Sequence, residues 1–411
     1  MPDEQAIRMP HDRVFKFHHL SFLPEGEEVV VGRPDTGSFA VLPADGAELL
    51  HQLFEGTPPE QAAEWYQKTF GEAVDIADFL DSLADLGFLR SEEESSAVPA
   101  KPRFQRLGQI LFAPPAWLTY GFVVIWWAWT VAQHHDLRPV ASQVFFTSSL
   151  VVVQLTIVAA QAPLTLLHES FHVLAGQRLG LSSTLKVSNR WANVVFETRS
   201  NGLFSVPRRR RYLPFLAGML MDVLLLAALD LLANSTREPS GALSLPGRLS
   251  VALAFTLVVR IAWQFQFFLR TDLYFVLATA LNCYDLHDAS KALLKNRISR
   301  LLGRTDRLID ESQWTEHDKR VGSLYGWFLM IGAATVIGVT CLVSIPVFGT
   351  YLRHQADGLF SGRFDARFWD SLTSAAMNAC VFLLPVYLSR RKRREDAHRR
   401  PRLLAEVESS S

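Results

Sequence analysis

Cysteine is nearly absent. Cys283, Cys341 and Cys380 are the only three in 411 residues, lie far apart and form no C-x-x-C spacing. That excludes a disulfide framework and a thiolate zinc site. Surplus charge is absent as well, because 41 lysines plus arginines balance 41 aspartates plus glutamates. With no global basic field, nucleic acid is not an expected partner. The stretch Met1 to Leu20 has no apolar core and carries His, Asp, Glu and Lys. A signal peptide is therefore not expected, and the N-terminus is expected in the cytosol. No ATP-binding P-loop occurs, which argues against an autonomous pump.

What is present is segregated. Mean hydropathy is only slightly positive, because a polar, mixed stretch precedes long apolar runs that begin after Phe112. Residues 14–90 read as a small α+β domain. Strand-like alternation falls at Phe15–Phe22, Glu27–Val31 and Gly37–Leu42, with turn residues between. Three helical patterns follow at Ala44–Phe54, Pro58–Phe70 and Asp75–Leu86. Thr57-Pro58-Pro59-Glu60 has capping-box spacing for the second, and Gly87 suits the stop of the third. A linker, 91–111, comes next and is rich in Ser, Glu, Ala, Pro and Lys.

Residues 112–389 carry apolar stretches near the roughly 20 residues a bilayer crossing takes. They fall at Trp117–Val131, Ser149–Ala175, Tyr212–Ala233, Ser250–Leu281, Val321–Ile345 and Trp369–Leu388. The expected fold class is therefore a polytopic α-helical membrane protein, with about six transmembrane helices and a winged-helix-like N-terminal domain. Basic residues crowd alternate loops: Arg178 to Arg211, Lys291 to Arg320, and the tail 390–411 beginning Arg390-Arg391-Lys392-Arg393-Arg394. Positive-inside bias then places both termini and both basic loops in the cytosol of a multi-pass protein of the cell membrane, with the lipid bilayer as a partner.

The sharpest chemical signal is His168-Glu169-Ser170-Phe171-His172 at the end of the second apolar run. Histidines four apart on a helix face the same way and can share one Zn²⁺, and the glutamate between them is placed to take a proton from zinc-bound water. Three ionisable residues at the end of an apolar helix are expensive, so a functional role is the default, against a polar cluster that only solvates the helix end. A catalytic zinc needs a third protein ligand and one open position. Asp222, Asp230, Asp272, Asp285, His287 and Asp288 are candidates. Depth favours Asp272: counted from Ser149 and Ser250, His168 and Asp272 lie about 29 Å and about 33 Å down their spans. The alternative for Asp272 is a helix-end carboxylate beside Arg270. Asp222 and Arg260 fall at comparable mid-membrane depth, where mutual pairing is favoured over a proton relay.

His168–His172 on one apolar helix, with an aspartate on a later one, resembles the site-2 protease family of intramembrane zinc metalloproteases over roughly Gln154–Leu281. Leu216–Asp222 is similar to the family's Gly-Pro-x-x-Asn segment, with Met219 for proline and Asp222 for asparagine. Arg270–Phe275 resembles the Asp-Gly-Tyr-aromatic segment of its peptide-protease branch, with Leu273 for glycine and no preceding Asn-Pro. The resemblance implies His168, His172 and Asp272 as ligands, Glu169 as base and Asp222 as a possible active-site neighbour. After the zinc helix, Thr184–Thr198 reads as a hairpin. Its strand at Val194, Val195 and Phe196 is a candidate for holding an extended substrate, with a purely structural hairpin about as good an explanation.

Residues 14–90 resemble the PqqD-like domain that recognises leader peptides of ribosomally made, modified peptides. The matching pieces are Leu42–Leu50, Phe54-Glu55-Gly56-Thr57, and Phe79-Leu80 through Leu86-Gly87-Phe88-Leu89. The resemblance implies leader binding as an added strand beside the third strand and third helix, with Phe39, Val41, Leu83 and Leu86 as candidate contacts. A generic winged-helix module for regulation or packing is the alternative. Three functions follow. The first is leader removal or maturation of such a peptide, with the precursor's leader as partner. The second is regulated intramembrane proteolysis of a transmembrane regulator. The third is a non-catalytic peptide tether or export component, against which the intact Glu169 argues.

Overall fold

The computed structural model describes residues 14–90, 102–190, 193–200, 202–283, 286–304, 308–310, 316–381, 383, 387 and 390–391. The chain begins β1 (Ser21–Glu25), β2 (Glu28–Arg33), β3 (Ser38–Pro43), α1 (Ala44–Phe54), α2 (Pro59–Phe70) and α3 (Ile76–Asp85). It continues α4 (Gln105–Leu111), α5 (Pro114–Gln133), α6 (Leu150–Arg178), β4 (Ser183–Arg190), β5 (Asn193–Ser200), α7 (Arg208–Ser235) and α8 (Leu245–Trp263). Then come α9 (Asp272–Leu281), α10 (Leu286–Leu301), α11 (Glu316–Val339) and α12 (Ile345–Leu359), the last two joined through a π-helical turn at Thr340–Ser344. Residues 366–381 are helical too. The protein is mostly helical and divides into two compact units.

The first unit gathers residues 14–117 with Glu169–Lys186 and Thr198–Gly218. Its sheet is an antiparallel meander, β1-β2-β3. Glu25 pairs with Glu28 across a tight turn where Gly26 takes φ +74°, a conformation that suits glycine at the head of a hairpin turn. One sheet face packs on the helices through Val31, Leu49, Leu50, Leu53, Leu80, Leu83 and Phe88. Each side chain of this size contributes roughly 1.5–3 kcal/mol when fully buried. Asp75 caps α3 by accepting from the main-chain N–H groups of Ala77 and Asp78.

Three local expectations change here. The first strand lies at Ser21–Glu25, and the earlier residues pair elsewhere: Phe17 bridges Leu89, and His18 N donates to Phe88 O. The capping box at Thr57 does not form; Pro58 is the N-cap of α2, without a side-chain cap bond. Part of the expected linker is helix. Gly108 of α4 sits so close to α6 that a Cβ there would stand 2.3 Å from the Leu174 carbonyl oxygen. The Phe104 N–H donates to the Gln177 side chain at 3.0 Å, which ties α4 to the end of α6.

The second unit holds 118–168, 187–197 and the described residues from Met219 onward. Leu164, Leu226, Ala254 and Leu257 pack α6, α7 and α8 together. The start of α6 is held by Asp370, whose carboxylate accepts from Leu150 N at 2.7 Å. Among the described residues, four helices are long and apolar enough to cross a membrane: Leu150–Arg178, Arg208–Ser235, Leu245–Trp263 and Lys319–Leu359. A fifth is added if α4 and α5, bent by 50°, form one span. The expected span Ser250–Leu281 is not continuous. It ends at Trp263, turns through a short 3-10 segment, and resumes as the short apolar α9.

Candidate metal centre

Helix α6 continues without a break from Leu150 to Arg178, so one helix carries both histidines. At 3.6 residues per turn, positions four apart share a face. His168 and His172 are 6 % and 8 % exposed. An imidazole that buried needs partners for its ring nitrogens, and the Nδ1 partners are in place. Within the second unit, His168 Nδ1 lies 3.0 Å from an oxygen of Asp222 on α7. Within the first, His172 Nδ1 lies 2.7 Å from the main-chain oxygen of Pro214. A carbonyl oxygen only accepts, so His172 carries its proton on Nδ1, and the neutral ring keeps its lone pair on Nε2. The Asp222 carboxylate favours the same tautomer at His168.

Asp272 opens α9, and its position is set by the break after α8. Gln264, at the end of α8, grips it twice: its Nε2 donates to Asp272 Oδ2 and its Oε1 accepts from Asp272 N, both at 3.1 Å. The Thr271 hydroxyl donates to Gln264 O at 2.6 Å, closing the turn. Arg270, two residues before Asp272, takes φ +54°. That left-handed conformation costs a non-glycine residue on the order of 1 kcal/mol and is tolerated where surrounding bonds over-determine the turn. The result brings Asp272 Oδ2 to 3.3 Å from His168 Nε2.

One ligand atom from each of His168, His172 and Asp272 lies within 4.8 Å of the other two. A tetrahedral zinc about 2.0–2.2 Å from nitrogen and oxygen donors would hold neighbouring donors about 3.3 Å apart. The 3.3 Å between His168 Nε2 and Asp272 Oδ2, an ion-pair contact as it stands, is compatible with that edge. Two imidazoles and one carboxylate are also a donor set that suits zinc with a fourth position open. Glu169 follows His168 on α6 and is half-buried. No protein family, curated protein or solved structure matches this chain.

The other candidates are distributed elsewhere. Asp222, fully buried, pairs with Arg260 of α8 (Nε to Oδ2, 3.1 Å) besides meeting His168. Asp230 is buried and accepts from Trp127 Nε1 at 2.7 Å. His287 lies at the start of α10, where its main-chain N–H donates to the Tyr274 hydroxyl. Asp285 and the side chain of Asp288 lie outside the described residues. β4 and β5 form the two-stranded sheet expected after α6, with Val194, Val195 and Phe196 on β5; their side chains lie outside the described residues. In the N-terminal domain, Phe39 and Val41 lie on β3, a strand at the sheet's edge. Leu83 is a core residue, 1 % exposed, and Leu86 packs against the same core.

Sequence reasoning missed Gln264 and Pro214. A glutamine near the end of an apolar helix was the one signal available for the first. Were zinc held by His168, His172 and Asp272, Gln264→Ala would lower its retention about 10- to 100-fold, the usual scale for losing a group that orients a metal ligand. Zinc competition with a chelator, run on variant and parent side by side, measures it. Equal retention would show that Asp272 needs no such grip.

Proposed function

We propose that the chain is a membrane-embedded zinc metalloendopeptidase that removes the leader from, or otherwise matures, a ribosomally made and modified peptide. One observation carries the zinc reading. Both histidines have Nδ1 engaged by acceptors, which turns Nε2 of each into the ligating nitrogen, and Asp272 stands at tetrahedral distance from one of them. Bound there by His168, His172 and Asp272, zinc would supply an activated water and polarise the scissile carbonyl. Glu169 is the residue placed to accept the proton from that water. The protein groups around the ligands orient them: Asp222 and Pro214 fix the rings, and Gln264 fixes the carboxylate.

The four or five apolar spans support a membrane location. Six spans, with residues 366–381 within the sixth, and cytosolic termini agree with the loop charges. The N-terminal domain would then share the cytosolic compartment with the ligand-bearing end of α6. Its edge strand β3, which carries Phe39 and Val41, suits capture of an extended leader by strand addition.

The test is metal analysis joined to an assay on a candidate precursor peptide encoded beside modifying enzymes. We expect one zinc per chain, lost in His168→Ala and His172→Ala and weakened in Asp272→Ala, with cleavage following zinc. A parent protein that holds no zinc when supplied with excess would overturn the reading.

A further inference from the structure

The first turn of α7 is electrostatically awkward. Arg208, Arg209, Arg210 and Arg211 are consecutive, and the turn holds no acidic residue. A helix N-terminus carries partial positive charge, so cations there are unfavourable. Pro214, inside the same helix, has no N–H, and the main-chain bond it would have made to Arg210 is missing. This start of α7 thus gathers four cations and lacks one main-chain bond. It also carries the Pro214 carbonyl that receives the His172 Nδ1 proton.

Support for it comes from the N-terminal domain. Arg211 is 2 % exposed, a large cation whose side chain is among the largest fully buried ones described. Its Nε donates to Val206 O at 2.7 Å, and its Nη2 meets Glu25 Oε1, at the end of β1, at 2.5 Å. The neighbouring chain is pressed onto the same sheet. A Cβ at Gly32 of β2 would stand 2.4 Å from the Ser205 hydroxyl, and one at Gly202 would stand 3.1 Å from Pro34. Glu25, Gly32, Ser205, Arg211, Pro214 and His172 all belong to the first compact unit.

We infer that Glu25 and Arg211 are positioning residues for His172. By holding the first turn of α7 against β1, they keep the Pro214 carbonyl where it orients the ring. This rests on the metal reading above and extends it: the N-terminal domain is a built-in part of the metal centre. A leader captured on its sheet would bind to the same unit that holds one of the ligands.

Cobalt uptake by the full-length protein tests this, because the visible spectrum of bound Co²⁺ reports its ligand geometry, which a merely structural contact would leave unchanged. Glu25→Ala removes the carboxylate, whereas Glu25→Gln keeps an acceptor oxygen at the same reach. We expect Glu25→Ala to keep its helical signal, weaken cobalt binding about 10-fold and shift the spectrum, while Glu25→Gln restores both towards the parent. Asp35→Ala, which removes the exposed Arg33 pair in the same domain, serves as a control and should change neither. If Glu25→Ala does not fold, Arg211→Lys carries the test: it keeps the charge but loses the Nε bond to Val206, and the same weakening and shift are expected. Parent affinity and spectrum in whichever folded variant is read would overturn the positioning role and leave the metal reading intact. A parent that binds no cobalt would sink the metal reading itself, and this inference with it.

Discussion

Glu169→Gln is expected to keep its zinc and lose peptidase activity by about 10²- to 10⁴-fold, the range a positioned general base contributes. The substitution conserves shape. It leaves His168, His172 and Asp272 untouched, so metal content should match the parent. What it removes is the ability to take a proton, since an amide oxygen is far less basic than a carboxylate. His172→Ala should behave oppositely and lose metal and activity together, because its Nε2 is a ligand atom in the proposed metal site. Metal analysis and peptide hydrolysis on the same preparations separate the two behaviours. If Glu169→Gln hydrolysed peptide at the parent rate with zinc bound, the proton would be going elsewhere, and Glu169 would have to be given up as the base.

The parts of this architecture that the sequence made legible are those with local causes. Ala44–Phe54 was readable to the residue because Leu49, Leu50 and Leu53 recur at helical spacing and all become core. Spacing four apart put His168 and His172 on one helical face without any knowledge of the fold. The first strand was misplaced for a non-local reason: Lys16 to His18 bond to Phe88 and Arg90 at the far end of the domain, and no alternation pattern encodes that partner. The break after Trp263 was hidden because residues on both sides are apolar, and hydropathy registers length more readily than a turn. Gln264, Gln266 and Arg270 were the local signs of it. Comparable depth suggested Asp222 with Arg260, and the structure pairs them. Depth could not show that the other partner of Asp222 is the Nδ1 nitrogen of His168, since that depends on how α6 and α7 are rotated about their axes.

The double partnership of Asp222 sets the second large expectation. Its side chain is fully buried, with Arg260 on one side and His168 on the other. Removing one member of a buried ion pair typically costs about 3–5 kcal/mol, because the survivor is left without compensation. Asp222→Asn should therefore lower thermal stability, and so should Arg260→Met. Their metal behaviour should differ. Asp222→Asn replaces the carboxylate behind His168 with a neutral amide, which weakens the pull on the Nδ1 proton and the basicity of Nε2, so zinc affinity should fall about 10- to 100-fold. Arg260→Met leaves that carboxylate in place and should retain more zinc than Asp222→Asn. The double variant, neutral at both positions, decides the matter. It should recover much of the stability that either single change loses, since no orphaned charge remains, yet keep the weak zinc binding of Asp222→Asn. Thermal unfolding and zinc competition across the four proteins form a double-mutant cycle in which the two properties part company. Should zinc affinity recover along with stability in the double variant, Asp222 acts only by balancing Arg260, and orienting His168 is no part of its role.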